Sequence, residues 1–220
     1  MSDSVPNDMP PNAKFTTFRL ADLPAVAWKN GGGTTREIAC WPAGSDMDTF
    51  DWRISVARID RDGPFSSFDG IDRVITLLDG AGVRLGGVDH TLSQPLVPYA
   101  FDGAASVYGE LINGACEDLN IMSRRAHINA EVRVLNAATR VADAHAGMLL
   151  AIDAAWQVEG ADGRSLCLAP GEGIWWHASW GECSVMPAQR TSDTAAAQAA
   201  SLVAVAFHDT RKVARSGDKA

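Results

Sequence analysis

The sequence predicts an all-β protein, and two observations carry that prediction. Short runs rich in β-branched and alternating apolar residues are separated throughout by Gly, Asp and Pro. No helical segments alternate with them, since only residues 192–200, SDTAAAQAA, have helical composition, and that stretch can equally be a flexible insertion. Many short strands with few or no long helices are typical of a sandwich or a barrel.

The strand candidates fall into two series along the chain. The first series is FTTFRL, TTREIACW, FDWRISVARI, DRVITLLDG, AGVRLGG, ASVYGELI and EDLNIMSRR, and the second is EVRVLNA, GMLLAIDAAW, RSLCLAPGEGIWWHA, ECSVMP and SLVAVAFHD. A chain of 220 residues that is 46% hydrophobic can bury a large core, as one β domain or as two fused halves. We expect a disordered tail at 1–13, a first half at 14–125, a second half at 126–208 and a flexible tail at 209–220.

The glycine-rich stretch WKNGGGTTREI, residues 28–38, raises the question of a phosphate site. A Walker-type loop needs Lys and then Ser or Thr after its last glycine, followed by a helix. Here Lys29 precedes the glycines, and a β-branched strand that ends at Pro42 follows them. The sequence therefore predicts a strand entrance where Gly31, Gly32 and Gly33 adopt positive φ or let two backbones approach closely.

Charge and composition argue against several classes of partner and location. A formal charge of -8 and a pI near 5.0 argue against nucleic acid and anionic membranes, which both favour basic patches. The amino terminus lacks the basic and apolar regions of a signal peptide, and no stretch approaches transmembrane length. The four cysteines form no CxxC pair, which fits reduced structural thiols, and we expect a cytoplasmic protein.

Two strand candidates carry polar residues on one face only. One face of each run is apolar and the other is polar, because successive side chains of a strand alternate. In DWRISVARI the apolar face is formed by Trp52, Ile54 and Val56, and the opposite face carries Arg53 and Ser55. In CEDLNIMSRR the apolar face is formed by Leu119 and Ile121, and the opposite face carries Asp118, Asn120 and Met122. The polar faces would meet solvent in an open sandwich and would line a cavity in a closed barrel.

Basic residues on several strand candidates give the cavity interpretation a chemical purpose. A guanidinium binds a carboxylate through two hydrogen bonds, and a lysine adds a point charge. The predicted ligand-binding set is Lys29, Arg36, Arg53, Arg73, Asp118 and Asn120, with Glu37 as a further orienting group. The alternative is that these arginines form buried ion pairs that only hold strands together.

Two phrases resemble hairpins of cupin barrels. LAPGEGIWWHA contains a Pro-Gly-acidic turn between two strands, and VITLLDGAGVRL contains a strand that ends at a glycine turn. One such hairpin lies in each half of the chain, so the resemblance implies a double-barrel, or bicupin, architecture without convincing sequence repetition.

Three longer segments resemble the HutD/Ves family of cupin-like proteins. They are WKNGGGTTREI at 28–38, FDWRISVARIDRDGPFSSFDGIDRVITLLDGAGVRL at 50–85 and FDGAASVYGELINGACEDLNIMSRR at 101–125. The resemblance implies a bicupin fold and, for HutD, an association with bacterial histidine utilisation in which a small-molecule binding role has been proposed. Ves relatives are linked to cold and stress responses. The family supplies no established catalytic mechanism, and fold alone does not imply one.

The histidines do not follow the pattern of a metal-binding cupin, which presents two histidines two residues apart, then a glutamate and a distant histidine. The five histidines are scattered, and the stretch where the pair would stand is GPFSSFDGIDR. We therefore expect no metal and no other cofactor.

Three functions remain open at this point. The first is metal-independent binding of a small carboxylate metabolite, with a modulating role in histidine utilisation. The second is a metal-independent enzyme that uses acid-base groups such as Lys29, Glu37 or Asp118 on a similar substrate. The third is a non-catalytic interaction protein. The sequence identifies neither the ligand nor a protein partner, and a homodimer stays open.

Overall fold

The computed structural model describes residues 15–188 and 200–211. The predicted tail at 1–13 lies outside the described residues, as does nearly all of the SDTAAAQAA segment. Most of the predicted tail at 209–220 also lies outside them, while Asp209 is the last residue of the final strand. Within the described part, one 3-10 turn at Leu20–Asp22 accompanies nineteen strands, so the all-β prediction is confirmed. No helix in this part has the length and hydropathy of a membrane span.

The first eleven strands cover the chain up to residue 124. They are β1 Thr16–Arg19, β2 Ala25–Ala27, β3 Gly33–Trp41, β4 Trp52–Ile59, β5 Gly63–Pro64, β6 Ile71–Asp79, β7 Val83–Gly86, β8 His90–Leu92, β9 Tyr99–Asp102, β10 Tyr108–Leu111 and β11 Cys116–Arg124.

Eight more strands follow. They are β12 Ile128–Leu135, β13 Thr139–Val141, β14 Ala146–Ala151, β15 Trp156–Gly160, β16 Ser165–Leu168, β17 Glu172–Trp176, β18 Cys183–Pro187 and β19 Leu202–Asp209.

The strands form four antiparallel sheets, two in each half of the molecule. A six-stranded sheet of order β2-β3-β4-β11-β6-β9 faces a four-stranded sheet of order β5-β10-β7-β8. A five-stranded sheet of order β1-β17-β14-β19-β12 faces a second four-stranded sheet of order β13-β18-β15-β16. The amino-terminal strand β1 thus pairs with β17 in the sheet otherwise built from later strands. Among the described residues, the edges of facing sheets are not joined by strand pairing.

Three large apolar cores hold these sheets together, and Phe50, Ile71 and Met122 form a fourth, smaller cluster. One core fills the space between the two sheets of the first half and includes Ile75 and Leu85, and another fills the second half and includes Trp156. The third lies between the two large sheets, where the Trp52 ring stacks on Phe207 with centroids 4.7 Å apart. The two large sheets are therefore packed back to back, and each half buries its own interior as well.

The predicted alternation on β4 and β11 is confirmed. Trp52, Ile54 and Leu119 point into the core between the two large sheets. The opposite faces of the same strands point into the first half, where Arg53 and Asn120 line one cavity. The polar faces are therefore interior, not solvent-facing.

Candidate functional site in the first half

A cavity of about 840 Å³ lies in the first half, between the six-stranded sheet and the segment that follows β5. Five of the six predicted ligand-binding residues line it, namely Lys29, Arg53, Arg73, Asp118 and Asn120. The structure thus brings together residues from the β2–β3 loop and from strands β4, β6 and β11. A concave site with a few converging polar groups and apolar walls is typical of small-molecule binding.

The strand register arranges the polar groups in rows across β4, β11 and β6. Met122 pairs with Arg53 on one side and with Arg73 on the other, so the two arginines flank β11 in the same row. Asn120 is the centre of the next row, and Asp118 of the row after that. Strand spacing puts the two arginine backbones about 10 Å apart, which is within the joint reach of two guanidinium groups.

Arg53 is held in place by two neighbours on the cavity wall. Its Nε donates to Glu37 Oε2 at 2.7 Å, and its Nη1 donates to Ser55 Oγ at 3.2 Å. Glu37 itself lines the cavity and is half exposed. The pairing orients the guanidinium, and a guanidinium has five N–H donors, so further donors remain for a ligand.

Arg73 is more deeply buried than Arg53. Its Nε donates to Asn120 Oδ1 at 3.4 Å, and its guanidinium carbon lies 5.0 Å from the centre of the Phe101 ring and 5.6 Å from that of Phe65. Burial lowers the pKa of Arg73 to about 10, with Asp118 opposing this change and Arg53 reinforcing it. A buried cation with only long hydrogen bonds is well suited to bind an anion.

Asp118 is the third charged group of the cavity, and it is only 3% exposed. Burial raises its pKa from an ordinary value of 3.8 to about 7; the Arg73 charge lowers it and the Glu117 charge raises it. A carboxyl that titrates near neutrality can accept or donate a hydrogen bond, or transfer a proton.

The glycine-rich loop forms the hairpin between β2 and β3 and carries Lys29 at the cavity rim. The Trp28 amide donates to the Gly33 carbonyl at 2.9 Å, and Gly31 has φ +68°. A Cβ on Gly33 would lie 2.0 Å from the Arg58 carbonyl oxygen, so the backbones there approach too closely for any side chain. Both predicted reasons for glycine, a positive φ and a close backbone approach, are thus present.

Arg36 is not brought to this cavity. Its Nη2 donates to Glu117 Oε2 at 2.7 Å, and it pairs in register with Val56, whose side chain points away from the cavity. Its neighbours Thr35 and Glu37 line the cavity instead. Arg36 therefore matches the alternative of an arginine that ties strands together.

The aromatic wall of the cavity was missed by sequence reasoning. Phe65 and Phe68 stand on the irregular segment after β5 and line the cavity together with Ser66, whose carbonyl accepts from Arg73 Nη1 at 3.4 Å. They belong to the GPFSSFDGIDR stretch that occupies the place of the metal cupin's histidine pair. Proline and glycine around two phenylalanines were the available signal, since an irregular segment has no periodicity.

Metal-binding groups do not cluster in the described residues. Residues 15–188 and 200–211 contain no group of three or more His, Cys, Asp or Glu side chains placed to hold a metal ion. The interior of the second half is apolar, with Trp156, Trp176 and Val158 filling it. The converging charged groups therefore belong to the first half.

Relatives of the chain carry the same family names that its motifs resemble. The family model described as HutD matches residues 20–199. Protein Ves from Citrobacter koseri is 40% identical over 164 residues, which is 73% of this chain and 82% of that protein. An uncharacterized 21.2 kDa protein in the hutC 3′ region of Pseudomonas putida is 38% identical over 141 residues, which is 63% of this chain and 73% of that protein.

Solved structures share the fold. A conserved protein of unknown function from Pseudomonas aeruginosa PAO1 matches with a TM-score of 0.74 at 27% identity, and the match covers 89% of this chain and 100% of that protein's chain. HutD from Pseudomonas fluorescens SBW25 has a TM-score of 0.72 at 28% identity, covering 89% of this chain and 98% of its own. A cupin 2 conserved barrel domain protein from Leptotrichia buccalis has a TM-score of 0.53 at 10% identity, covering 87% and 95%, and shows the fold alone. The fold is cupin-like, as predicted, and the chain belongs to the HutD family.

Proposed function

We propose that the protein binds a small carboxylate metabolite in the first-half cavity, without a metal ion, and that this binding modulates histidine utilisation. The observation that carries the proposal is the convergence of Arg53 and Arg73 on one cavity from strands on either side of β11. Two guanidinium groups aimed at a partly enclosed space match the planar, two-oxygen geometry of a carboxylate.

The burial of Arg73 without a paired carboxylate among the described residues supports an anionic ligand. Burial disfavours its positive charge, and no carboxylate of the described residues lies within ion-pairing distance of it. An anion that enters the cavity would stabilise this cation in a region of low dielectric, where the attraction is stronger than in water. Phe65 and Phe68 would contact the carbon skeleton of the same ligand.

Lys29 would contribute in a different way from the arginines. It stands on the hairpin loop at the rim, where an ammonium group on a flexible stem attracts an anion without fixing its orientation. We expect Lys29 to assist association, and the arginines to fix the bound carboxylate.

The names of relatives support the link to histidine utilisation. HutD of Pseudomonas fluorescens shares the fold at 28% identity, and its structure was solved in a formate condition. Formate is the smallest carboxylate and is thus a suitable first probe, followed by histidine-pathway metabolites. The proposal places the protein in the cytoplasm, which the unpaired state of its four cysteines supports.

The test is a thermal-shift screen of small carboxylates, followed by calorimetric titration of the best ligand into wild type, Arg53→Ala and Arg53→Lys. A ligand that binds only the native state raises its stability, so binding is detected without an activity assay. Arg53→Ala should weaken binding roughly ten- to a hundredfold, as expected for a charged hydrogen-bond donor. Arg53→Lys should recover only part, because an ammonium lacks the planar fork.

Arg36→Ala is the matched control, since it removes an arginine from the same sheet but outside the cavity. Circular dichroism must show that each variant is folded. Equal affinity of folded Arg53→Ala and wild type would refute the site, whereas a loss in Arg36→Ala of the same size would indicate a general effect on the sheet.

A second candidate function is acid-base catalysis on a similar substrate, and the observation that favours it is the pKa of Asp118 near 7 inside the cavity. Incubating the screened ligand with protein and following it by NMR separates the two. Conversion that is lost in Asp118→Asn would establish the enzyme, and saturable binding without conversion would establish the binding protein.

A further inference from the structure

Asp118 is a buried carboxyl that faces the cavity without a protein partner. No donor of the described chain lies within hydrogen-bonding distance of its oxygens, and no basic side chain lies within ion-pairing distance. The fully occluded side-chain atoms without a partner in the described residues are those of Thr76, Ser123 and Trp156 and do not include the Asp118 oxygens, so the carboxyl of this 3% exposed residue is reached from the cavity and is available to a ligand group. The neighbouring charges of Arg73 and Glu117 act on Asp118, but no hydrogen bond within the described residues fixes its carboxyl.

The residues beside Asp118 leave room for a ligand group. In its row of the sheet, Asp118 is followed on one side by Ala57 and Thr35, both of which have small side chains and line the cavity. Leu77 is on the other side and belongs to the apolar core of the first half. The accessible side of the carboxyl is therefore the space above Ala57.

The distance from the guanidinium groups sets the length of that ligand. The Arg53 guanidinium donates a hydrogen bond to Ser55, and that of Arg73 donates one to Asn120. Ser55 and Asn120 pair with each other in the register, so both guanidinium groups lie over the row that contains them. Asp118 is two residues further along β11, which corresponds to about 7 Å of strand. A ligand carboxylate held by the arginines would thus place atoms a few bonds away beside Asp118.

We propose that Asp118 is a specificity-determining residue that accepts a hydrogen bond from an amino or hydroxyl group of the ligand. This inference rests on the proposed carboxylate site. The preferred ligand class is then a carboxylic acid with a donor group several bonds from the carboxylate. When Asp118 is ionised, a second carboxylate in this position would face its oxygens and be disfavoured, so at such a pH the residue selects against simple dicarboxylates.

Three isosteric acids test the inference: γ-aminobutyrate, γ-hydroxybutyrate and valerate, in which an ammonium, a hydroxyl and a methyl group occupy the same position. Their affinities can be measured by NMR titration of tryptophan indole N–H signals, which detects weak binding. We expect wild type to bind the amino and hydroxy acids roughly ten- to a hundredfold more tightly than valerate, the range of a hydrogen bond to a charged group.

Variants of Asp118 separate the charge from the acceptor. Asp118→Ala should bind the three acids with similar affinity. Asp118→Asn keeps an acceptor oxygen in nearly the same shape, so it should retain the preference for the hydroxyl and lose most of that for the ammonium. Glu117→Gln is the matched control, since it neutralises the adjacent carboxylate, which is paired with Arg36 outside the cavity, and should keep the wild-type order.

Each outcome decides between the two proposals. A wild-type preference that persists in folded Asp118→Ala would overturn the inference; should that variant not fold, an unchanged ammonium preference in Asp118→Asn would do so. Arg53-dependent binding of formate, with the three longer acids bound equally or not at all, would also overturn it and leave the proposed carboxylate site standing. Failure of wild type to bind any of the four acids would overturn the carboxylate site and this inference with it.

Discussion

Replacing Asp118 by asparagine should change how the stability of the protein depends on pH. The carboxyl titrates in the folded protein at about 7, compared with an ordinary value of 3.8, chiefly because burial disfavours its charge. The charged groups around it are Arg73, which lowers its pKa, and Glu117, which raises it, with Arg53 and Glu37 elsewhere on the cavity wall. Asparagine has nearly the same shape and does not titrate.

The sign of the effect follows from the two pKa values. Between about pH 4 and pH 7 the unfolded chain has lost this proton while the folded protein still holds it, so rising pH favours unfolding. The slope is about 1.4 kcal/mol per pH unit, and the difference of about three units corresponds to about 4 kcal/mol. The stabilising contribution of the neutral carboxyl is complete below pH 4 and is lost as pH rises through 7.

Urea denaturation at a series of pH values, followed by tryptophan fluorescence, measures this effect. The quantity to plot is the free energy of unfolding of Asp118→Asn minus that of wild type, since other titrating groups contribute equally to both. This difference should rise by about 4 kcal/mol across the window and then level off. Titration of the Asp118 carboxyl carbon by NMR should give a midpoint near pH 7.

Parallel stability curves for wild type and Asp118→Asn would refute the reasoning. They would mean that Asp118 is solvated or paired in the folded protein, so that its charge is not penalised. An NMR midpoint near 4 would lead to the same conclusion from a direct observation.

Three further predictions concern the loop, the number of sites and metal content. Gly33→Ala should destabilise the fold by about 1 to 3 kcal/mol, because its Cβ would meet the Arg58 carbonyl, whereas Gly63→Ala, which meets nothing within 4 Å, should be tolerated in the same urea assay. Calorimetry should give one ligand per chain, since the second half is filled by apolar side chains such as Trp156; two equivalent sites would contradict this. Elemental analysis should find no stoichiometric transition metal, and one equivalent of iron, zinc, manganese or nickel whose removal abolishes binding would contradict the metal-independent proposal.

Strand alternation explains why much of the cavity lining was predictable. A side-chain period of two fixes which residues share a face once a strand is identified, so the apolar Trp52 and Ile54 placed Arg53 on the other face. The same reasoning placed Asn120 opposite Leu119. Local sequence was sufficient because the middle of each strand has an apolar face, formed by Trp52, Ile54 and Val56 in β4 and by Leu119 and Ile121 in β11.

Arg36 shows where the same reasoning stops. Arg36 and Glu37 are neighbours on β3, so only one of them can face the cavity, and the pattern of β3 does not say which. The strand also shifts register against β4 between Glu37 and Ala39, which breaks a simple count along it. Phe65 and Phe68 were missed for a related reason, since the segment after β5 forms no regular strand at their positions.

The second half packs against the back of the sheet that lines the first-half cavity. Buried charges in general often stabilise a fold no more than well-packed hydrophobic residues of the same volume do. On the back of the same sheet, the Trp52 ring stacks on Phe207 and lies edge to face with Trp175, whose ring centroid is 6.1 Å from that of Trp52. Since Trp52 and Arg53 are adjacent on β4, the packing that fixes the tryptophan also fixes the strand carrying the arginine. The second half thus packs against the strand that carries Arg53, and its own interior carries no comparable group of charges among the described residues.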